Sequence, residues 1–173
     1  IRADVMGPEG ERPPTAKEMR RIKEHLEEAL AAGAWGFSTG RDYPPSAWAE
    51  GPELLELARF MRERGGYYFT HWRRTGLRRG TPGKANKLAG IREALDLALA
   101  AGIKTQISHL AAGFDIYPEN SALARFAAEA TLSMIDDYIA RGADVAFDVI
   151  PGISGGICIH PYLASLFMPW IRM

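Results

Sequence analysis

Gly66-Tyr-Tyr-Phe-Thr-His-Trp-Arg73 is the stretch that decides the fold. It is entered through glycine, rich in aromatic and β-branched residues and too short for a helix, so it reads as a strand, and it stops on a histidine and an arginine. A second run of the same kind, Lys104-Thr-Gln-Ile-Ser-His109, follows Gly102 and stops on a histidine 38 residues after the first. In a parallel sheet of strand-helix units, a connection of that length returns the chain to the next strand at the same height. His71 and His109 are therefore predicted to sit side by side.

The same period extends outward in both directions. Ala34-Trp-Gly-Phe-Ser38 precedes the histidine strands and Asp144-Val-Ala-Phe-Asp-Val149 follows them, so strand ends near Ser38, His71, His109 and Asp148 are spaced by 33, 38 and 39 residues. Helices fill the intervals. Pro52 opens one in the favourable first-turn position, and Leu54, Leu55, Leu57, Ala58 and Met61 carry it to Gly65. Ile91, Ala94, Leu95 and Ala98 mark another over 88–101, and Leu123, Phe126, Ala127, Ala130, Met134, Ile135 and Ile139 a long amphipathic one over 121–140, ended by Gly142.

Upstream, Thr15-Ala-Lys-Glu18 reads as a capping box, in which the threonine oxygen takes the amide of Glu18 while the glutamate reaches back. The helix it opens carries Met19, Ile22, Leu26, Ala29 and Leu30 on one stripe and ends at Gly33. His25 on that helix reads as ordinary surface packing. Residues 1–14, with Pro8, Pro13 and Pro14, are predicted to be extended. Residues 42–45, 74–87 and 111–118 read as loops, as does the glycine-rich turn Pro151-Gly-Ile-Ser-Gly-Gly156.

Four helix-strand repeats imply a parallel sheet, and strands that are near-continuously apolar imply burial on both faces. A doubly wound sheet would place a glycine-rich phosphate turn after its first strand, and Gly36-Phe-Ser-Thr-Gly40 is a poor version of one. A (β/α)8 barrel instead places polar residues at the C-terminal ends of successive strands, as Ser38, His71, His109 and Asp148 do. The fold class is read as α/β, a TIM-like barrel, with residues 1–173 holding about four units as one partial barrel domain.

Composition sets the outer limits. Of 173 residues, 47% are hydrophobic and 24% charged, which suits a substantial core. Lys and Arg number 21, as do Asp and Glu, so no electrostatic footprint for nucleic acid or an anionic membrane is visible; the basic group Arg73, Arg74, Arg78 and Arg79 reads as a solvated loop. A single cysteine, Cys158, excludes an internal disulfide framework and fits a reducing, cytoplasmic compartment. No run of about 18 apolar residues occurs. Ile1 in place of methionine leads us to expect further chain upstream.

Neutral imidazole is the commonest ligand for zinc and similar ions, and two on adjacent strand ends would supply two donors of a four- or five-coordinate site. No Lys or Glu ends the strand 34–38, so that strand offers no carbamylated lysine to bridge two ions. Arg73, two residues past His71, would point from the same strand end and could pair with a substrate carboxylate, and Tyr43 in the preceding loop is a candidate to line the pocket. Cys158 reads as a packed thiol and His160 as a weak site candidate.

Several blocks occur in one order: Val5-Met-Gly7, Glu27 to Gly40, Tyr43-Pro-Pro45, Gly65 to Arg73, Gln106-Ile-Ser-His109, Asp148-Val-Ile-Pro151, Ser154-Gly155 and Pro169-Trp170. That order resembles the N-acyl-D-amino-acid deacylases (D-aminoacylases) of the amidohydrolase superfamily, over nearly the whole chain. The resemblance implies that His71 and His109 match the metal-binding histidines ending the family's fifth and sixth barrel strands. It implies zinc, one or two divalent ions in the complete enzyme, and metal-assisted hydrolysis of the amide bond of a small N-acyl amino acid. The family's His-x-His, its cysteine ligand and its catalytic aspartate are expected outside this chain, leaving the catalytic group unassigned here.

Departures fall on the substrate side: Ala111 stands where the family often has lysine, Ile150 and Gly152 where it has tyrosines, and Gly156 where it has serine. These imply a changed acyl or amino-acid preference. Two other classes fit the same pattern, a metal- or phosphate-dependent lyase or isomerase on the same barrel and a non-catalytic fragment or pseudo-enzyme. Open edges on a four-strand sheet also lead us to expect self-association, and silence in catalysis, for the chain alone.

Overall fold

The computed structural model describes residues 1–7, 10–73, 87–112 and 120–151. In chain order the elements are α1 (Arg2–Met6), α2 (Ala16–Ala31), β1 (Gly36–Gly40), α3 (Gly51–Arg62), β2 (Tyr67–His71), α4 (Lys87–Ala101), β3 (Thr105–Ile107), α5 (Ser121–Ala140) and β4 (Val145–Phe147), with a short 3-10 turn at Ser46–Trp48. The strands are all parallel and lie in the order β1-β2-β3-β4. Chain order and sheet order therefore coincide. A doubly wound sheet reverses direction at a switch point, and a barrel does not, so this progression is that of a barrel segment.

The local signals act as expected at most helix ends. Thr15 and Glu18 form the reciprocal capping box of α2, Pro52 sits in the first turn of α3, and the Asn120 side chain caps α5 through the amides of Ala122 and Leu123. The N-terminal residues depart from expectation. Arg2–Met6 is a five-residue helix, and it ends at Gly7, whose φ is 80°, so Pro8 falls beyond it. Proline restricts itself and the residue before it, which leaves 2–6 free to coil. Arg2 ties this turn to α3 by an ion pair with Glu53, 2.8 Å from Nε to Oε1.

Packing divides the sheet into two unequal faces. Phe37 and Thr39 of β1, Tyr68 and Thr70 of β2, and Thr105 and Ile107 of β3 are buried against the helices. One cluster joins Met19, Ile22, Leu26, Leu54, Leu57, Met61, Tyr68 and Ile103; a second joins Trp72, Ile91, Leu95, Ile107, Ile135 and Tyr138. The opposite face carries Ser38, Phe69 and Gln106 in one cross-strand row, and these are exposed or half-buried. The expectation of burial on both faces is thus met on one face only among the described residues. In a (β/α)8 barrel the other row is the one whose side chains fill the interior.

One glycine fixes how β2 meets α4. A Cβ on Gly90 would lie 1.7 Å from the main-chain oxygen of Arg73, a contact only backbone movement could relieve. Gly90→Ala is expected to destabilise the chain by about 1–3 kcal/mol as an overpacking change. Denaturant unfolding of parent and variant measures it, and equal midpoints would contradict the packing described.

Candidate metal centre

β1 and β2 pair through Gly40 and His71, and the Arg41 amide continues the ladder by donating to the His71 carbonyl at 2.8 Å. The chain then turns, with the Tyr43 amide donating to the Gly40 carbonyl at 2.9 Å, so that residues 42 and 43 fold back over the strand end. Glycine lets the turn lie close over the strand end, since a Cβ on Gly40 would lie 2.6 Å from Cδ2 of Tyr43 and push that ring aside. As a result the Tyr43 ring stands 4.7 Å from the His71 ring, and Oδ2 of Asp42 lies 3.1 Å from Nε2 of His71. Asp42, which the sequence places in a loop, is thereby brought against His71.

The predicted meeting of the two histidines occurs. Nδ1 of His71 lies 2.9 Å from Nε2 of His109, with ring centroids 4.6 Å apart and ring planes at 83°. His109 does not end a strand as expected, for β3 stops at Ile107 and His109 lies in the following turn with φ 43°. That left-handed conformation is unfavourable for a residue with a side chain. Asp148, one residue past β4, holds it: Oδ1 accepts the His109 amide at 2.6 Å, while Oδ2 accepts the Gln106 side-chain amide at 2.9 Å. The His109 amide and the Gln106 side chain keep the Asp148 carboxyl below the usual aspartate range despite some opposing desolvation. Ser38 does not belong to this group. It lies mid-strand opposite Phe69, two residues short of the position level with His71, which is Gly40.

Arg73 is placed differently from expectation. It is 5% exposed, and its Nε donates to Glu93 of α4 at 3.0 Å and its Nη1 to the Ala47 carbonyl at 3.3 Å. Arg41 reaches the same carboxylate, 3.1 Å from Nε to Oε1. Burial alone would raise the Glu93 carboxyl, but Arg41 and Arg73 outweigh it and hold the group below its ordinary range. The triad fastens the ends of β1 and β2 to α4 immediately beside the histidines. A cavity of about 700 Å³ opens on its helical side, lined by Arg41, Trp48, Glu50, Arg73, Glu93 and Asp96, and includes neither histidine. His25 lies on α2 beside Asp4 and Glu28, a surface placement. Gly152, Gly156, Cys158, His160 and the arginines 74, 78 and 79 lie outside the described residues.

The pair suits a metal as part of a donor set. With metal-nitrogen bonds of about 2.0–2.1 Å, two imidazole nitrogens on one tetrahedral ion stand about 3.3 Å apart, so the two nitrogens, now 2.9 Å apart, would separate by a few tenths of an ångström. Two donors are not a closed site. Among the described residues no three of His, Cys, Asp and Glu converge to hold an ion.

A parallel barrel segment with one histidine ending β2 and another in the turn after β3 belongs to the class of TIM-like (β/α)8 folds. Comparison with known proteins narrows this class. No protein-family model matches the chain. It is 37% identical over 138 residues to N-acyl-D-glutamate deacylase of Alcaligenes xylosoxydans xylosoxydans, covering 80% of this chain and 25% of that protein. It is 32% identical over 155 residues to D-aminoacylase of the same organism, covering 90% and 28%.

Among solved structures, N-acyl-D-glutamate deacylase from Bordetella bronchiseptica, complexed with zinc and a phosphonate mimic of the tetrahedral intermediate, superposes with a TM-score of 0.65 at 32% identity. That match covers 86% of this chain and 28% of the other. A D-aminoacylase structure described by its binuclear metal centre gives a TM-score of 0.68 at 29% identity, covering 89% and 29%. The chain thus spans about a quarter of the length of the curated relatives it matches. Its relatives, and the stretch it is similar to, are the N-acyl-D-amino-acid deacylases of the amidohydrolase superfamily.

Proposed function

We propose that residues 1–173 form the part of an N-acyl-D-amino-acid deacylase barrel that supplies two histidine ligands to a catalytic zinc ion. The observation that carries this reading is the convergence of Nδ1 of His71 and Nε2 of His109 at 2.9 Å across adjacent strands. A bound zinc ion would supply an activated water near neutral pH and polarise the scissile carbonyl. Within this chain, His71 and His109 would hold the ion. Tyr43, 39% exposed beside His71, would line the pocket on the substrate side. Arg73, whose charge meets Glu93, would contact a substrate carboxylate only by giving up that pair, so its proposed part is to brace the strand end.

The acyl or amino-acid preference would differ from that of ordinary D-aminoacylases. Ala111 is half-buried two residues past His109 and Ile150 is exposed, and neither offers a polar contact. The proposed setting is cytoplasmic, which the single cysteine supports, and no helix among the described residues is long and apolar enough to cross a membrane. The edges at β1 and β4, with Phe147, Val149 and Ile150 exposed, support self-association of the chain on its own, readable by sedimentation over a concentration series.

The test is a deacylation assay on the complete zinc-loaded protein that carries this segment, with N-acyl derivatives of D-methionine, D-glutamate and D-aspartate. Release of the free amino acid is expected from at least one. A zinc-loaded, folded protein that cleaves none of them would overturn the reading.

A further inference from the structure

We infer that Asp42 is a positioning residue for the metal centre: its carboxylate grips Nε2 of His71 and so fixes the tautomer and ring angle that turn Nδ1 toward the ion. This rests on the reading of His71 as a ligand. A carboxylate can only accept, so the 3.1 Å contact between Oδ2 of Asp42 and Nε2 of His71 requires the imidazole proton on Nε2. A neutral imidazole carries one proton, and the nitrogen left bare is Nδ1, the atom that faces His109. The arrangement is the one in which a ligating histidine gives its other ring N–H to a carboxylate, gaining basicity and a fixed orientation.

Three observations support this role over direct ligation by Asp42. No third His, Cys, Asp or Glu joins the histidine pair in a metal-holding group among the described residues. The Asp42 side chain is only 5% exposed and meets His71 at Nε2, not at the nitrogen that faces His109. Its placement is also built in: the Gly40 to Tyr43 turn and the register of Gly40 with His71 deliver residue 42 to that atom, while the Tyr43 ring packs against the imidazole.

The net proton count is the same with and without an ion. In the metal-free chain, Nδ1 of His71 is bare, so the 2.9 Å contact requires the proton on Nε2 of His109. With both nitrogens given to an ion, His71 would keep its proton on Nε2 against Asp42, and His109 would carry its proton on Nδ1 after exchange through solvent. Neither ring changes charge.

Two measurements test the assignment on the chain itself. Long-range nitrogen-15 correlation spectra of the metal-free parent are expected to show His71 protonated at Nε2, and the Asp42→Ala chain a mixed tautomer. Titration with cobalt(II) is expected to show binding about 10–100-fold weaker in Asp42→Ala, with Asp42→Asn, which keeps an acceptor oxygen without the charge, in between. A proton on Nδ1 of His71 in the parent, or cobalt(II) binding by folded Asp42→Ala as tight as the parent's, would overturn the proposal. The His71→Ala chain separates the two claims. If it loses cobalt(II) while Asp42→Ala does not, only the role of Asp42 falls; if it binds like the parent, the ligand assignment falls and the role of Asp42 with it. Should Asp42→Ala not fold, the tautomer of the parent decides alone.

Discussion

Glu93→Gln is expected to cost about 3–5 kcal/mol of stability, because it leaves Arg41 and Arg73 as buried cations sharing a partner that no longer carries charge. Their side chains are 4% and 5% exposed, so water cannot replace the lost carboxylate. The pH dependence follows from the direction of the Glu93 shift. Its folded value lies below the ordinary 4.5, so the fold favours the ionised form, and the stabilisation is present above about pH 4.5 and lost as pH falls through the depressed value. Urea unfolding of parent and variant at neutral pH and near pH 3 checks both parts. The gap should be wide at neutral pH and narrow in acid, and a gap that does not change with pH would contradict the electrostatic account.

His71→Ala and His109→Ala are expected to have the largest functional effects. Loss of an outer partner of a metal ligand already costs about 10–100-fold in affinity, and loss of a ligand itself should exceed that. Each variant of the complete protein is therefore expected to retain less than about one hundredth of its metal affinity, with activity falling alongside. The two losses should be strongly non-additive, because either substitution alone dismantles the same site. Zinc content after dialysis, measured beside activity, distinguishes this from a folding defect, since neither histidine lies in the clusters that join helices to sheet.

Much of the fold was legible because its signals are local. Thr15 and Glu18 lie one helical turn apart, Pro52 marks its own first turn, and the apolar stripe of α2 recurs at the helical period. The histidine pair was legible for a related reason: equal strand-to-strand spacing converts directly into equal height in a parallel sheet. The residues that were missed depend on where a strand stops. Extending β1 to Gly40 moved the level position away from Ser38 and brought Asp42 to His71 from 29 residues away. An acidic residue two positions past the end of β1 was the available signal, and it needed the register to be read.

Arg73 shows a second limit of local reading. Its partner Glu93 lies on α4, a helix read only for its apolar stripe, and a charged residue between Ile91 and Leu95 was the sign of an inward-facing pair. His109 shows a third. A φ of 43° held by an aspartate from the next strand is a tertiary arrangement, invisible in the run 103–109, whose composition reads as strand to its end.

His71 and His109 are expected to take one ion together. Titrating the chain with zinc while following the ring nitrogens of His71 and His109 by nitrogen-15 resonance measures this. The expected result is weak binding of one ion per chain, since two donors are offered where a stable site uses three or four, with Nδ1 of His71 and Nε2 of His109 shifting in parallel along one binding curve. Tight stoichiometric binding that leaves both nitrogens unshifted, or that persists in the His71→Ala and His109→Ala chains, would contradict it.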